Sequence, residues 1–205
     1  MPPAPHIAIL VMAAGQSLRM GCDKLLLRQA TGQTLLEDRI SVAIATGHPV
    51  YVALGDHARD RHHITRASGA NPVLCADAEL GMGHCMAQAV ATLPARLDAI
   101  LVLLADMPAI TTEDINRVCS SFDGKHVIRG AEPDGTAGHP VLFPAQMRPQ
   151  LEALCGDTGA KEVVKTSPAR LVHLPRRHAT TDIDRQTDWD SWQQAQGRAN
   201  GDREP

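Results

Sequence analysis

Between Leu10 and Leu27 the chain reads Leu-Val-Met-Ala-Ala-Gly-Gln-Ser-Leu-Arg-Met-Gly-Cys-Asp-Lys-Leu-Leu-Leu. The apolar run from Ile7 to Ala13 suits a strand buried on both faces of a parallel sheet. It breaks into a loop of small residues, where Ala14 and Gly15 let a ligand approach the backbone and the N–H groups of the turn can converge on an anion. Arg19 adds a forked cation and Lys24 a mobile point charge, two complementary ways to hold phosphate oxygens. A loop of this kind on a strand end is suited to wrapping a polyphosphate.

Three familiar loops do not fit. A Walker A loop needs four residues between its glycines and a Lys-Ser/Thr pair after the second; here five residues separate Gly15 from Gly21, and Cys22 follows. The Gly-x-Gly-x-x-Gly turn of dinucleotide-binding folds is missing from Ala13-Ala14-Gly15-Gln16-Ser17-Leu18, and Gly81-Met82-Gly83-His84-Cys85-Met86 lacks its last glycine. A nucleophile elbow would need glycine where Arg19 stands, so Ser17 is a poor nucleophile candidate.

Working outward, apolar runs alternate with amphipathic segments along the whole chain. Thr34-Leu35-Leu36-Glu37 reads as a capping box opening a helix to about Ala45, with Gly47 as its stop. Strands are predicted at Val50 to Leu54, Asn71 to Cys75, Asp98 to Leu104 and Leu171 to Leu174. Two short strands, Val127 to Ile128 and Val141 to Phe143, flank a glycine-rich stretch. Helices are predicted near Asp56 to Arg66, through Val90, after Thr111 and Thr112, in short pieces from Gln146 onward, and from Asp188 to Gln196. This alternation implies a three-layer α/β/α domain with a mainly parallel sheet over residues 1–196, followed by a disordered tail at 197–205.

A second informative segment is Ile100-Leu101-Val102-Leu103-Leu104-Ala105-Asp106-Met107-Pro108. A buried strand ending in a carboxylate places Asp106 at the carboxyl edge of the sheet, where open α/β folds bind ligands. Near a phosphate, such a carboxylate suits magnesium, which shares one or two carboxylates with substrate oxygens. In Thr181-Asp182-Ile183-Asp184, alternation puts Asp182 and Asp184 on one face and Ile183 on the other; either acid is a metal-ligand candidate, with Asp184 favoured.

Composition narrows the function further. The 205 residues carry a net charge of −3, and two Trp, one Tyr and two Phe leave few stacking platforms, which argues against nucleic acid. Cys22, Cys75, Cys85, Cys119 and Cys155 form no Cys-x-x-Cys pair and read as free thiols. His57, His62 and His63, placed on one helix, lack a metal-binding pattern. The start of the chain lacks the basic region of a secretory signal and its first apolar run is too short to span a bilayer, so a cytoplasmic protein without membrane contact is expected.

The first loop closely resembles the Leu-x-Ala-Ala-Gly-x-Ser-x-Arg-Met-Gly-x-x-Lys-Leu-Leu-Leu form of the molybdopterin cytidylyltransferases, within the nucleotidyltransferases of Rossmann-like, glycosyltransferase-A-like fold. Guanylyl-transferring relatives carry Gly-Gly where this chain has Ala14-Gly15, so the resemblance leans to CTP. It implies magnesium-dependent transfer of CMP from CTP to the terminal phosphate of a molybdopterin-type acceptor, with release of pyrophosphate. Ala13, Ala14, Gly15, Ser17, Arg19 and Lys24 would hold the nucleotide, with Arg19, Lys24 and Asp106 catalytic and Asp106, Asp184 or Asp182 on the metal. Gly81, Gly83 and Cys85 match the region near base and ribose, although relatives have serine at Cys85 and a thiol is the weaker partner. Gly138-His139-Pro140 and Gly156-Asp157-Thr158-Gly159-Ala160-Lys161 resemble the acceptor side, which points to His139, Asp157 and Lys161. Alternatives are GTP as donor, a sugar or polyol phosphate as acceptor, and a cofactor-binding chaperone that serves a molybdenum hydroxylase apoenzyme.

Overall fold

The computed structural model describes residues 4–17 and 20–201. Seven strands form one sheet: β1 (Ile7–Met12), β2 (Val50–Gly55), β3 (Asn71–Cys75), β4 (Ala99–Leu104), β5 (Val127–Ala131), β6 (Ala137–Pro144) and β7 (Ala169–His173). Their order is β3-β2-β1-β4-β6-β5-β7, so β1 and β4 lie inside the sheet and pair with each other in parallel from Ile7↔Ala99 to Met12↔Leu104. Every residue of β1 is buried, as its unbroken apolar run predicts.

Alternation along these strands feeds two core layers. Ile7, Ile9, Val11, Leu101 and Leu103 face α1 (Leu35–Ile44) and α4 (Thr112–Ser120), and Trp189 of α7 (Gln186–Gly201) joins that layer. Leu10, Met12, Ile100 and Val102 face α3 (Met82–Thr92), α5 (Arg148–Glu152) and α6 (Lys161–Lys165). The result is the expected α/β three-layer fold. Helix α1 starts at the predicted capping box, with Glu37 N–H donating to Thr34 Oγ1 and Thr34 N–H to Glu37 Oε2. Helix α2 (Arg59–Ala67) starts later than the sequence suggests and leaves His57 outside it. Helix α7 runs beyond Gln196 to Gly201, into the stretch expected to be a disordered tail; residues 202–205 lie outside those described.

One strand departs from the parallel pattern. β6 runs antiparallel to both β4 and β5. The connection from Ala131 to Ala137 is closed by Glu132 N–H to Thr136 O at 2.9 Å and turns at Gly135, whose φ is 89°. So short a link cannot make a parallel crossover, which needs a dozen or more residues. No described helix is long and apolar enough to cross a membrane.

Candidate nucleotide site

The carboxyl ends of β1 and β4 open into a cavity of about 650 Å³ lined by residues of the first loop together with Gly81, Met82, Cys85, Asp106, Asp157 and Asp184. Its volume lies in the range of small-ligand pockets. Among the described residues, none of the N–H groups of Ala14, Gly15, Gln16 and Ser17 meets a protein acceptor. Ser17 sits at φ 55°, and its hydroxyl accepts the Lys24 N–H at 3.3 Å, which ties the two ends of the loop together. Arg19 lies outside the described residues.

The loop is gripped from behind by Arg61 of α2, a residue only 4% exposed. Its Nη1 donates to Ala13 O at 2.6 Å and to Gly15 O at 2.8 Å, while Nε and Nη2 make a two-pronged contact with Asp23 at 2.8 and 2.6 Å. In a trans peptide C=O and N–H point opposite ways. Drawing those two carbonyls back therefore turns the N–H groups of Ala14 and Gln16 away from Arg61. A second buried arginine braces the other half of the site: Arg39 Nη1 donates to Met107 O and Ile110 O, and the guanidinium pairs with Asp38. This fixes the turn that follows Asp106. Sequence reading missed both arginines, because neither lies in a recognisable pattern and α2 reads as a solvated His- and Arg-rich face.

Lys24 sits at the centre. Its Nζ donates to Asp106 Oδ2 at 2.8 Å, to Asp184 Oδ1 at 3.1 Å and to Ile183 O at 2.7 Å. Burial works to lower the lysine pKa, but the charges and hydrogen bonds of Asp106 and Asp184 outweigh it and leave the ammonium held above its ordinary value. Asp106 O accepts from Ile183 N–H at 2.9 Å, and Asp188 accepts from the N–H groups of Asp184 and Arg185, so the turn after the two acids is closed. Ile183 is fully buried between Asp182 and Asp184, as alternation requires. Asp182 is exposed and not part of the cavity wall; its pKa is raised by partial burial and by the like charges of Asp184 and Asp106. Two convergent carboxylates, with negative charge crowded around them, are a donor set that fits one hard divalent cation. Among the described residues no group of three or more His, Cys, Asp or Glu side chains could hold a metal.

The remaining candidates divide. Gly81 and Gly83 are there for close packing: a Cβ on Gly81, at φ 115°, would lie 2.3 Å from Asp157 Oδ1, and one on Gly83 would lie 2.6 Å from Cys155 O. Gly83 N–H donates to Gly156 O at 2.7 Å and Gly81 N–H to Ala78 O, so neither amide is left for a ligand. Cys85 lines the cavity, yet its thiol is engaged with Cys75, and that contact together with burial pushes its pKa up. All five cysteines are free. Asp157 reaches the cavity wall; Lys161 and His139 do not.

His139 is enclosed on β6, and burial, aided by the Arg129 charge, lowers its pKa to about 4. From its ordinary 6.5 down to about 4, the unfolded chain takes up a proton that the folded imidazole refuses. Stability contributed by this group is therefore lost as pH falls through that window. Thermal unfolding followed from pH 7 to pH 4 is expected to show that slope, and His139→Gln to flatten it.

A model for the MobA-like NTP transferase domain matches residues 9–174, most of the chain. The chain belongs to the MobA-like NTP transferase family. This NTP transferase is 27% identical over 173 residues to purine catabolism protein PucB of Bacillus subtilis (strain 168), covering 80% of this chain and 82% of PucB. It is 26% identical over 179 residues to nicotine blue oxidoreductase of Paenarthrobacter nicotinovorans, covering 80% and 84%. Among solved structures, Rv0371C of Mycobacterium tuberculosis H37Rv in complex with manganese matches with a TM-score of 0.79 at 23% identity, over 93% of this chain and 99% of that one. At that identity the likeness is one of fold. The family match stops short of Asp184, so its place in the wall of the NTP transferase cavity rests on its contact with Lys24.

Proposed function

We propose that the NTP transferase acts as one domain over residues 1–196 and transfers CMP from CTP to the terminal phosphate of a molybdopterin-type acceptor, releasing pyrophosphate. The observation that carries this reading is the Lys24 ammonium held between Asp106 and Asp184 at the foot of a cavity whose rim carries loop amides that meet no acceptor among the described residues. The triphosphate lies against the N–H groups of residues 14–17, with Arg19 and Lys24 taking the oxygens of the β and γ phosphates. Asp106 and Asp184 would hold a magnesium ion, which supplies charge neutralisation and Lewis acidity at the phosphates when bound. Lys24, turned from the carboxylates onto the phosphates, offsets the charge that collects on the leaving pyrophosphate. The acceptor phosphate is already anionic, so the chain needs no general base; its contribution is to align the attacking oxygen with the α-phosphorus. We assign the setting to the cytoplasm, with a molybdenum hydroxylase apoenzyme as recipient of the product.

The test is pyrophosphate release by purified protein offered CTP, GTP, ATP and UTP in turn, with magnesium and molybdopterin or its molybdenum form. CTP is expected to support the fastest release, and none with any nucleotide would sink the enzyme reading. Base choice is assigned to Ala14, which lines the cavity beside Gly15. Ala14→Gly is expected to narrow the CTP over GTP ratio of kcat/KM by about tenfold, the scale of one methyl group in a fitted pocket. An unchanged ratio would mean that the base is read elsewhere.

A further inference from the structure

The five free cysteines are not alike, because two of them touch. Cys75 ends β3 and Cys85 stands on α3, both buried in the core layer that holds Leu10, Met12 and Met86. Cys75 Sγ donates to Cys85 O at 3.3 Å, and the two thiols are hydrogen bonded to each other. Cys119 on α4 gives the contrast: burial pushes its thiol up to about 12, the state of an inert core cysteine. In the pair, the hydrogen bond from Cys85 holds the Cys75 thiol below its ordinary value against the effect of burial, with help from the Leu54 backbone, while the same contact pushes Cys85 up. Such a pair gives up its first proton more readily than a lone buried thiol, and the remaining proton is shared between the sulfurs.

Position supplies the second half of the case. Cys85 lines the cavity at the ends of β1 and β4, together with Met12, Met82 and Leu104. Cys75 is fully buried and is not part of that wall. A small oxidant that enters the cavity therefore meets one sulfur, and the second sulfur is already in contact with the first. A disulfide asks for sulfurs about 2.05 Å apart on Cβ atoms about 3.5–4.5 Å apart. With Cys75 Sγ against both the carbonyl and the thiol of Cys85, closing the bond draws on side-chain rotation. Where the relatives that the sequence resembles carry serine, this chain carries the sulfur that makes the bond available.

We propose that Cys75 and Cys85 are an oxidisable dithiol in the wall of the nucleotide cavity, which a hydroperoxide converts to a disulfide and which bound nucleotide shields. The shielding rests on the nucleotide reading of the cavity; the disulfide does not. The Cys85 sulfur attacks the nearer peroxide oxygen, the O–O bond breaks, and the thiol proton goes to the departing oxygen as water or an alcohol. That leaves a sulfenic acid on Cys85. The Cys75 sulfur then attacks the Cys85 sulfur, the S–O bond breaks, and the hydroxyl departs with the Cys75 proton as water. Two thiols are oxidised and one hydroperoxide is reduced. An external dithiol restores the pair by exchange.

The experiment is thiol mapping on a chain carrying Cys22→Ser and Cys155→Ser, which removes the two exposed cysteines and leaves three thiols. Hydrogen peroxide is added to the folded protein with and without saturating CTP, and the protein is then quenched, denatured, alkylated and weighed. Without CTP, one alkyl group is expected rather than three, carried by Cys119, with a peptide joined through Cys75 and Cys85 after digestion. A reductant should return all three. Cys85→Ser, or Cys75→Ala should that variant misfold, is expected to form no internal disulfide. Three alkyl groups after peroxide, or Cys119 lost in step with the pair, overturns the dithiol. Saturating CTP is expected to slow disulfide formation about tenfold or more, since only the fraction with an empty cavity reacts. CTP that binds by calorimetry and does not slow the reaction overturns the route through the cavity. Failure of CTP to bind overturns the nucleotide reading, and the peroxide mapping still decides the dithiol.

Discussion

Lys24→Ala is expected to lower pyrophosphate release by about a hundredfold or more and, in the nucleotide-free protein, to tighten Mn2+ binding. Two opposite effects come from one side chain because its ammonium has two positions to serve. In the structure it lies between Asp106 and Asp184, 2.8 and 3.1 Å from their oxygens, and so neutralises the charge that would draw in a divalent cation. Removing it leaves two facing carboxylates without their lysine, and the attraction for a cation rises. In the proposed reaction the same group offsets charge on the leaving phosphates, and losing one preorganised donor of that kind costs about 10² to 10³ in rate. Steady-state pyrophosphate release and a paramagnetic resonance titration with Mn2+ check the two halves separately. Full turnover in the variant would remove Lys24 from the chemistry; unchanged or weaker Mn2+ affinity would mean the ammonium does not compete for the carboxylates.

Arg61→Ala should have the largest effect on stability. It strips two carbonyls, Ala13 O and Gly15 O, of their donor and leaves Asp23 facing the protein without its partner. Breaking a buried ion pair by removing one member costs about 3–5 kcal/mol. Asp23 retains 31% exposure of its side chain, which water can use, so the lower end of that range applies. Urea unfolding measures it. Arg61→Lys keeps the charge but cannot grip both carbonyls and both Asp23 oxygens at once. It is expected to recover much of the stability while nucleotide affinity stays weakened, because the N–H groups of Ala14 and Gln16 are no longer held in place. Equal recovery of both would reduce Arg61 to a packing residue. In the double variant Asp23→Ala, Arg61→Ala the losses should sum to less than the two single losses, since each single change leaves the other partner stranded.

What the sequence revealed was local or patterned. β1 and β4 were legible because an apolar run without alternation has few other uses, and α1 because Thr34 and Glu37 make a cap between neighbours in sequence. Lys24 and Asp106 stood out for residue type at a strand end. The direction of β6 was hidden, since it depends on a tight turn at Gly135 rather than on the strand's own residues. Arg61 and Arg129 were hidden for a different reason. A guanidinium on a polar helix and one on a short strand look alike until the fold decides that one meets Asp23 and the other, among the described residues, meets no carboxylate. Gly81 and Gly83 drew attention as backbone a ligand could approach, and it is the loop at Gly156 that approaches them.

The order of the sheet also divides the molecule in time. The nucleotide half hangs on β1 and β4, each paired on both sides and buried on both faces. The other side of the sheet ends in α6, a helix of five residues, and in β7, an edge strand whose residues are mostly exposed. In hydrogen exchange, amides at 9–11 and 101–103 are expected to exchange only through global unfolding, and those of β7 through local opening many times faster. A chain built this way keeps the loop after β1 fixed on a rigid base while the β7 edge breathes. Substitutions near β7 therefore cost little of the global folding energy, which leaves that edge the part of this fold freest to drift.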